Sequence, residues 1–148
     1  MILILVSFST FLFDQLTKLY IRQNFSVGES APVIDNIFHI TYVQNNGAAF
    51  GLIPNQQTVL FFITFFVILI IAVFSIISRP KEISMQLALG LILGGAVGNL
   101  LDRLLIGTIT DFLDFRIWPV FNVADSAIVI GTIILLWTIK IGVKFKKT

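Results

Sequence analysis

The 148-residue sequence predicts an all-α membrane protein: four transmembrane helices with a small extracytoplasmic β-sheet and loop region. Three observations predict it. Hydrophobic residues make up 57% of the chain and charged residues only 12%, about half the charge that solvates an ordinary soluble domain. Mean hydropathy is +0.98, which excludes intrinsic disorder. Four apolar runs each reach the roughly 20 residues that a helix needs to cross a bilayer core. Length suggests a single membrane domain over 1–148.

The first span, about 2–21, is interrupted by Asp14, Gln15, Thr17 and Lys18. Its start, MILILVSFST, lacks the basic n-region and small-residue cleavage site of a secretory signal, so it reads as a retained helix. The outward loop 24–57 contains NIFHITYV, in which β-branched and aromatic residues partly alternate. Asn45-Asn46-Gly47 follows as a hairpin-type turn, then a second apolar piece, AAFGLI, before Pro54. A small antiparallel sheet on the outer membrane surface is expected there. The second span, about 58–77, carries no charge at all. The third, about 85–105, is glycine-rich in LILGGAVG and ends in NLLDRLL. After the outward segment 106–122, the fourth span runs from about 123 to 143, with Asp125 near its start.

Basic residues orient these spans. Arg79 and Lys81 lie between spans two and three, and Lys140, Lys144, Lys146 and Lys147 sit at the end of span four. The 24–57 loop has no Lys or Arg, and 106–122 has Arg116 alone. Both termini are therefore expected on the cytoplasmic side of the membrane, with the loop and the 106–122 segment facing outward. The same positions explain the net charge of +2 and the pI of about 9.2 without nucleic acid. There is no cysteine, and His39 is the only histidine. Disulfides, thiolate metal sites and thiol nucleophiles are excluded, and no metal or cofactor is expected. His39 reads as a strand or loop residue.

Ionisable residues inside a membrane are costly, on the order of 2.5–3.5 kcal/mol each at a helix centre. Asp14 and Lys18, four apart, share a helix face. Asn99, Asp102 and Arg103 end span three, Asn122 and Asp125 begin span four, and Asp111 lies between them. The topology puts them all at one outward level. Each has a purely structural reading. Asp14 and Lys18 can be a buried neutral pair, and Asn122 with Asp125 a helix N-cap. Arg103 can snorkel while Asp102 neutralises it, and Gly94, Gly95 and Gly98 can serve close helix packing. Together, however, Asp14, Asp102, Asp111, Asp114 and Asp125 outnumber Lys18, Arg103 and Arg116. At least one acid is surplus. Two adjacent carboxylates share a proton and supply an acid and a base together, as in aspartic proteases.

FDQLTK at 13–18, YVQNNGAAF at 42–50, GGAVGNLLDR at 94–103, TDF at 110–112 and FNVADS at 121–126 occur in that order. Over nearly the whole chain this closely resembles the lipoprotein signal peptidase (signal peptidase II) family, bacterial intramembrane aspartyl endopeptidases. The resemblance implies Asp111 and Asp125 as the catalytic pair. It implies supporting or substrate-binding roles for Asp14, Lys18, Asn45, Gly47, Asn99, Asp102, Arg103, Asn122 and Ala124. It also implies prolipoprotein substrates carrying diacylglycerol on a cysteine, with the signal peptide removed on that cysteine's amino side. Membrane lipids and globomycin-type cyclic peptide inhibitors are the other implied partners. Gly51 stands where many relatives have Ser, Thr110 replaces a common Val, and the Asp111–Asp125 connection is short.

Rival chemistries fit less well. HExxH, G-x-S-x-G and GxGD motifs are absent from the sequence. A Ser126–Lys18 dyad has nothing that fixes the two together. The non-enzyme alternative is a small proton- or ion-coupled carrier, which would place polar residues at the midplane and on both sides.

Overall fold

The computed structural model describes residues 1–47 and 56–145. In chain order it comprises α1 (Ile2–Asn24), β1 (Ser30–Ile34), β2 (Phe38–Asn45), α2 (Gln56–Ser78), α3 (Ile83–Leu105), β3 (Ile109–Asp114) and α4 (Val123–Phe145). All four helices are long and apolar enough to span a membrane. Each extends at one or both ends beyond the apolar run that marks it in sequence, because polar residues such as Arg22 continue the helical hydrogen bonding.

Helix α3 is the hub, packing against α1, α4 and α2. Glycine makes that possible. Gly90 lies against Leu3 and Val6, Gly94 against Ser7 and Thr10, and Gly98 against the Asp14 carboxylate. Gly95 meets the Ala124 carbonyl, and Gly131 of α4 returns the contact at Ala88 and Ile92. Close approach through small residues is how membrane helices gain dispersion contacts where no hydrophobic effect separates them from lipid. Helix α2 stands apart. It touches chiefly α3, and Phe62, Phe66, Ile70 and Ile77 remain exposed, an apolar surface suited to lipid.

The sheet is antiparallel, ordered β1-β2-β3. It corrects the sequence expectation twice. The hairpin turn falls at Ile34–Ile37, where Ile37 N–H donates to the Ile34 carbonyl at 3.1 Å and Asn36 adopts φ 59°. Asn45-Asn46-Gly47 instead ends β2: Gly47, at φ 75°, donates its N–H to Asn45 Oδ1 at 2.7 Å. An Asx turn of this kind uses the same residues as a hairpin turn. Secondly, the partner of β2 beyond β1 is β3, from the 106–122 segment, with Val43 opposite Asp111 and Asn45 opposite Ile109. The AAFGLI piece lies outside the described residues. Tyr42, Phe112 and Ile21 form a small core that seats the sheet on the end of α1. His39 is a strand residue of β2, its Nδ1 3.2 Å from Ser30 Oγ.

Candidate active site

The ionisable residues of α1 and α3 close on one another through Lys18, which is fully buried. Its Nζ lies 2.9 Å from Asp14 Oδ2 and 3.2 Å from Asp102 Oδ2, and donates to Asn99 Oδ1 at 2.9 Å. The i,i+4 spacing delivers Asp14; the helix crossing at Gly98 delivers Asp102 and Asn99. Asp102 is thus neutralised by Lys18, with Arg22 Nη1 3.5 Å from its other oxygen. This corrects the expected Asp102–Arg103 pair. Adjacent helical residues diverge in direction, and Arg103 turns to α2, its Nη1 3.4 Å from Thr64 Oγ1.

Both buried carboxylates have a second task. Asp102 Oδ2 accepts the backbone N–H of Thr110 at 3.0 Å, and Asp14 Oδ1 accepts that of Ala124 at 2.9 Å. Each grips the residue immediately before one of the remaining acids, Asp111 and Asp125. Ala124 itself is fully buried, and its backbone carbonyl lies against Gly95, where a side chain on the glycine has no room.

Amides then join the two acids. Asp111 accepts from Asn45 Nδ2 at 2.8 Å and from Asn122 Nδ2 at 2.7 Å. Asp125 accepts from Asn99 Nδ2 at 2.7 Å, and Asn122 Nδ2 also reaches Asn99 Oδ1 at 3.2 Å. Asn122 caps α4 as well: its Oδ1 accepts the Asp125 N–H at 2.9 Å. The capping and polar-network readings of this residue hold simultaneously. Gly47 contributes indirectly, since its N–H occupies Asn45 Oδ1 and leaves the amide nitrogen to face Asp111.

The surplus of acid now resolves. Asp14 and Asp102 pair with Lys18, and Asp114 pairs with Arg116 at 3.1 Å while accepting from Thr41 at 2.7 Å. Among the described residues, Asp111 and Asp125 are left without a cation within 4 Å. Asp111 is only 1% exposed. Burial, reinforced by the nearby Asp125 charge, pushes its pKa from 3.8 up to about 7, against the lowering effect of the Asn45 and Asn122 hydrogen bonds. Asp125 is half-buried and so the more accessible of the two. A carboxyl that titrates near neutrality beside a second, more accessible carboxyl can hold one proton between them. Arg103 makes no hydrogen bond to either acid, although its charge is near enough to act on both. Among the described residues, no three His, Cys, Asp or Glu side chains are grouped to hold a metal ion.

Three participants escaped the reading of the sequence. Gln15 Nε2 donates to Asp14 Oδ2 at 3.1 Å and to Asp102 Oδ1 at 3.3 Å. Arg22 donates to Thr110 Oγ1 at 3.1 Å, which makes Thr110 a partner as well. Arg22 had a signal, one turn beyond Lys18 on the same face. Gln15 and Thr110 had none. The Ser126–Lys18 dyad does not form, since Ser126 Oγ donates to the Asn122 carbonyl while Lys18 is held by Asp14, Asp102 and Asn99.

A family profile described as signal peptidase (SPase) II matches residues 6–141. The lipoprotein signal peptidase of Moorella thermoacetica is 54% identical over 124 residues, covering 84% of this chain and 83% of that protein. Those of Halothermothrix orenii and Pelotomaculum thermopropionicum are 47% identical over 125 residues and 44% over 139. The first alignment covers 84% of this chain and 86% of the relative, the second 94% and 91%. A bacterial membrane enzyme structure solved by the in meso method at 1.9 Å resolution aligns with a TM-score of 0.86 at 36% identity. That alignment covers 93% of this chain and 91% of the other.

Proposed function

Because this chain belongs to the signal peptidase II family, we propose that it works as an aspartyl endopeptidase through Asp111 and Asp125. The activity is removal of the signal peptide from prolipoproteins. The carrier alternative is not supported, since the relatives that align across the chain are lipoprotein signal peptidases.

In this reading Asp111, buried with its pKa raised to about 7, carries the shared proton. Asp125, the more accessible of the two, acts as base. It takes a proton from water, whose oxygen attacks the scissile carbonyl, while Asp111 donates a hydrogen bond to the carbonyl oxygen. Collapse of the tetrahedral intermediate breaks the C–N bond, and a carboxylic acid of the pair protonates the departing amine. Asn45, Asn99 and Asn122 orient the carboxylates through the hydrogen bonds described above. Lys18, Asp14 and Asp102 hold the backbone on which the acids sit, and Arg103 and Gly47 shape the surroundings.

The finer assignments follow the same reading. The substrate cysteine carries diacylglycerol, cleavage falls on its amino side, and globomycin-type cyclic peptides inhibit by occupying this site. Arg79, Lys81 and Lys140 lie at the helix ends opposite the sheet and the acids. By the positive-inside tendency, both termini are cytoplasmic and the site opens at the extracytoplasmic face of the inner membrane, against membrane lipids.

One observation carries the proposal: two amide-linked carboxyls left without a cation in a network that neutralises every other acid near them. Cleavage of a lipidated precursor by purified protein tests it. Asp111→Asn and Asp125→Asn are each expected to abolish cleavage while the protein still folds. Substantial turnover by either variant overturns the assignment.

A further inference from the structure

We infer that Arg22 is a positioning residue for Asp111. It lies at the end of α1, one turn after Lys18, and carries no assigned role. Its simplest reading is a cation at a helix C-terminus, stretching toward headgroups. The geometry differs from that. The side chain is only 22% exposed and its Nη1 turns inward, 3.1 Å from Thr110 Oγ1 and 3.5 Å from Asp102 Oδ1. Asp102 Oδ2 meanwhile accepts the Thr110 N–H at 3.0 Å. Thr110 is therefore held twice, by main chain and by side chain, and Arg22 and Asp102 are tied to each other. The next residue is Asp111.

Strand β3 packs on the end of α1 through Phe112 and Ile21, and the restraints on Thr110 add to that packing in setting the approach of Asp111 to Asn45 and Asn122. The hydroxyl of Thr110 is what accepts from the guanidinium, and a valine there would offer no acceptor. Arg22 and Thr110 thus form a matched pair at the entry to Asp111. A guanidinium suits the task because its planar nitrogens reach a hydroxyl and a carboxylate together.

The inference rests on the aspartyl reading above, and the experiment keeps the two apart. Steady-state cleavage of a diacylglyceryl precursor peptide is measured for Arg22→Leu, Thr110→Val, the double variant and Asp111→Asn, with thermal midpoints recorded for each. Misplacing a reacting group by a fraction of an ångström is costly, so Arg22→Leu should lower kcat on the order of tenfold with KM unchanged. Thr110→Val should lower kcat in the same way, and the double variant should be no slower than Arg22→Leu alone. Wild-type kcat in Arg22→Leu, a change in KM alone, or losses that multiply in the double variant would overturn the inference. If Arg22→Leu does not fold, Thr110→Val leaves the ion pair to Asp102 in place, and wild-type kcat there overturns it equally. An active Asp111→Asn would instead overturn the aspartyl reading.

Discussion

Among single residues, Asp111 and Lys18 show opposite ways of keeping an ionisable group out of water. Asp111 is buried without a cation, and its pKa rises to about 7. The folded protein therefore binds more protons than the unfolded chain between the ordinary value of 3.8 and about 7. Stability from this group is complete at low pH and lost as pH rises through the folded value. Wild-type melting temperature in detergent should fall between about pH 4 and about pH 7 more steeply than that of Asp111→Asn. Cleavage should decline on the alkaline side with an apparent midpoint near 7, a value belonging to the pair. A rate that stays flat well above that midpoint contradicts a shared proton. Lys18 is buried between two carboxylates. Lys18→Met leaves Asp14 and Asp102 without it, and removing one partner of a buried pair costs about 3–5 kcal/mol. A thermal melt should show that loss. An unchanged melt with lost turnover would make Lys18 a participant in the chemistry.

Between elements, the separation of α3 from α1 and α4 sets the site, and glycines set the separation. A Cβ on Gly95 would stand 2.5 Å from the Ala124 carbonyl oxygen, at the first turn of α4 that carries Asp125. Gly95→Ala must push that turn away, at about 1–3 kcal/mol of overpacking. Turnover should fall with it, measured as kcat beside a thermal melt. Gly28 provides the contrast. Its φ is +87° but a Cβ there meets open space. Gly28→Ala should cost about 1 kcal/mol of backbone strain and leave kcat unchanged. Equal losses of turnover in the two variants would show that helix separation is not what matters. The Cβ test at Gly98 points the same way, since it meets Asp14 Oδ2 at 2.5 Å. The third-span glycines therefore serve packing and site together, and the packing reading made from sequence was correct but incomplete.

At the scale of the whole molecule, the acids gather at one end of a bundle whose α2 is exposed and apolar, and on the function proposed above a lipidated substrate would meet the site at its own depth in the bilayer. Each buried methylene adds about 0.8 kcal/mol of membrane residence. Lipid anchoring should then supply much of the positioning. One precursor peptide, compared with and without diacylglycerol in the same detergent, should be cleaved far faster with it, and equal rates would refute this. The four spans were legible in sequence because bilayer thickness demands long apolar runs whatever their neighbours do. The level at which polar residues gather followed from counting along those spans, and the ordered motif blocks carried the family. The pairing of charges was not legible. Asp102 sits beside Arg103 in sequence, yet its cations are Lys18 and Arg22 from another helix. Strand β3 was missed because its partner β2 lies more than 60 residues away, a pairing that no local pattern announces. Composition and periodicity determined by themselves that the chain spans a membrane four times and carries more acid than base at one face. Which acids keep a cation and which two are left without one was decided only by the tertiary structure. Ion pairing falls off over a few ångströms, and such distances across helices arise only when glycine contacts have fixed how closely α1, α3 and α4 approach.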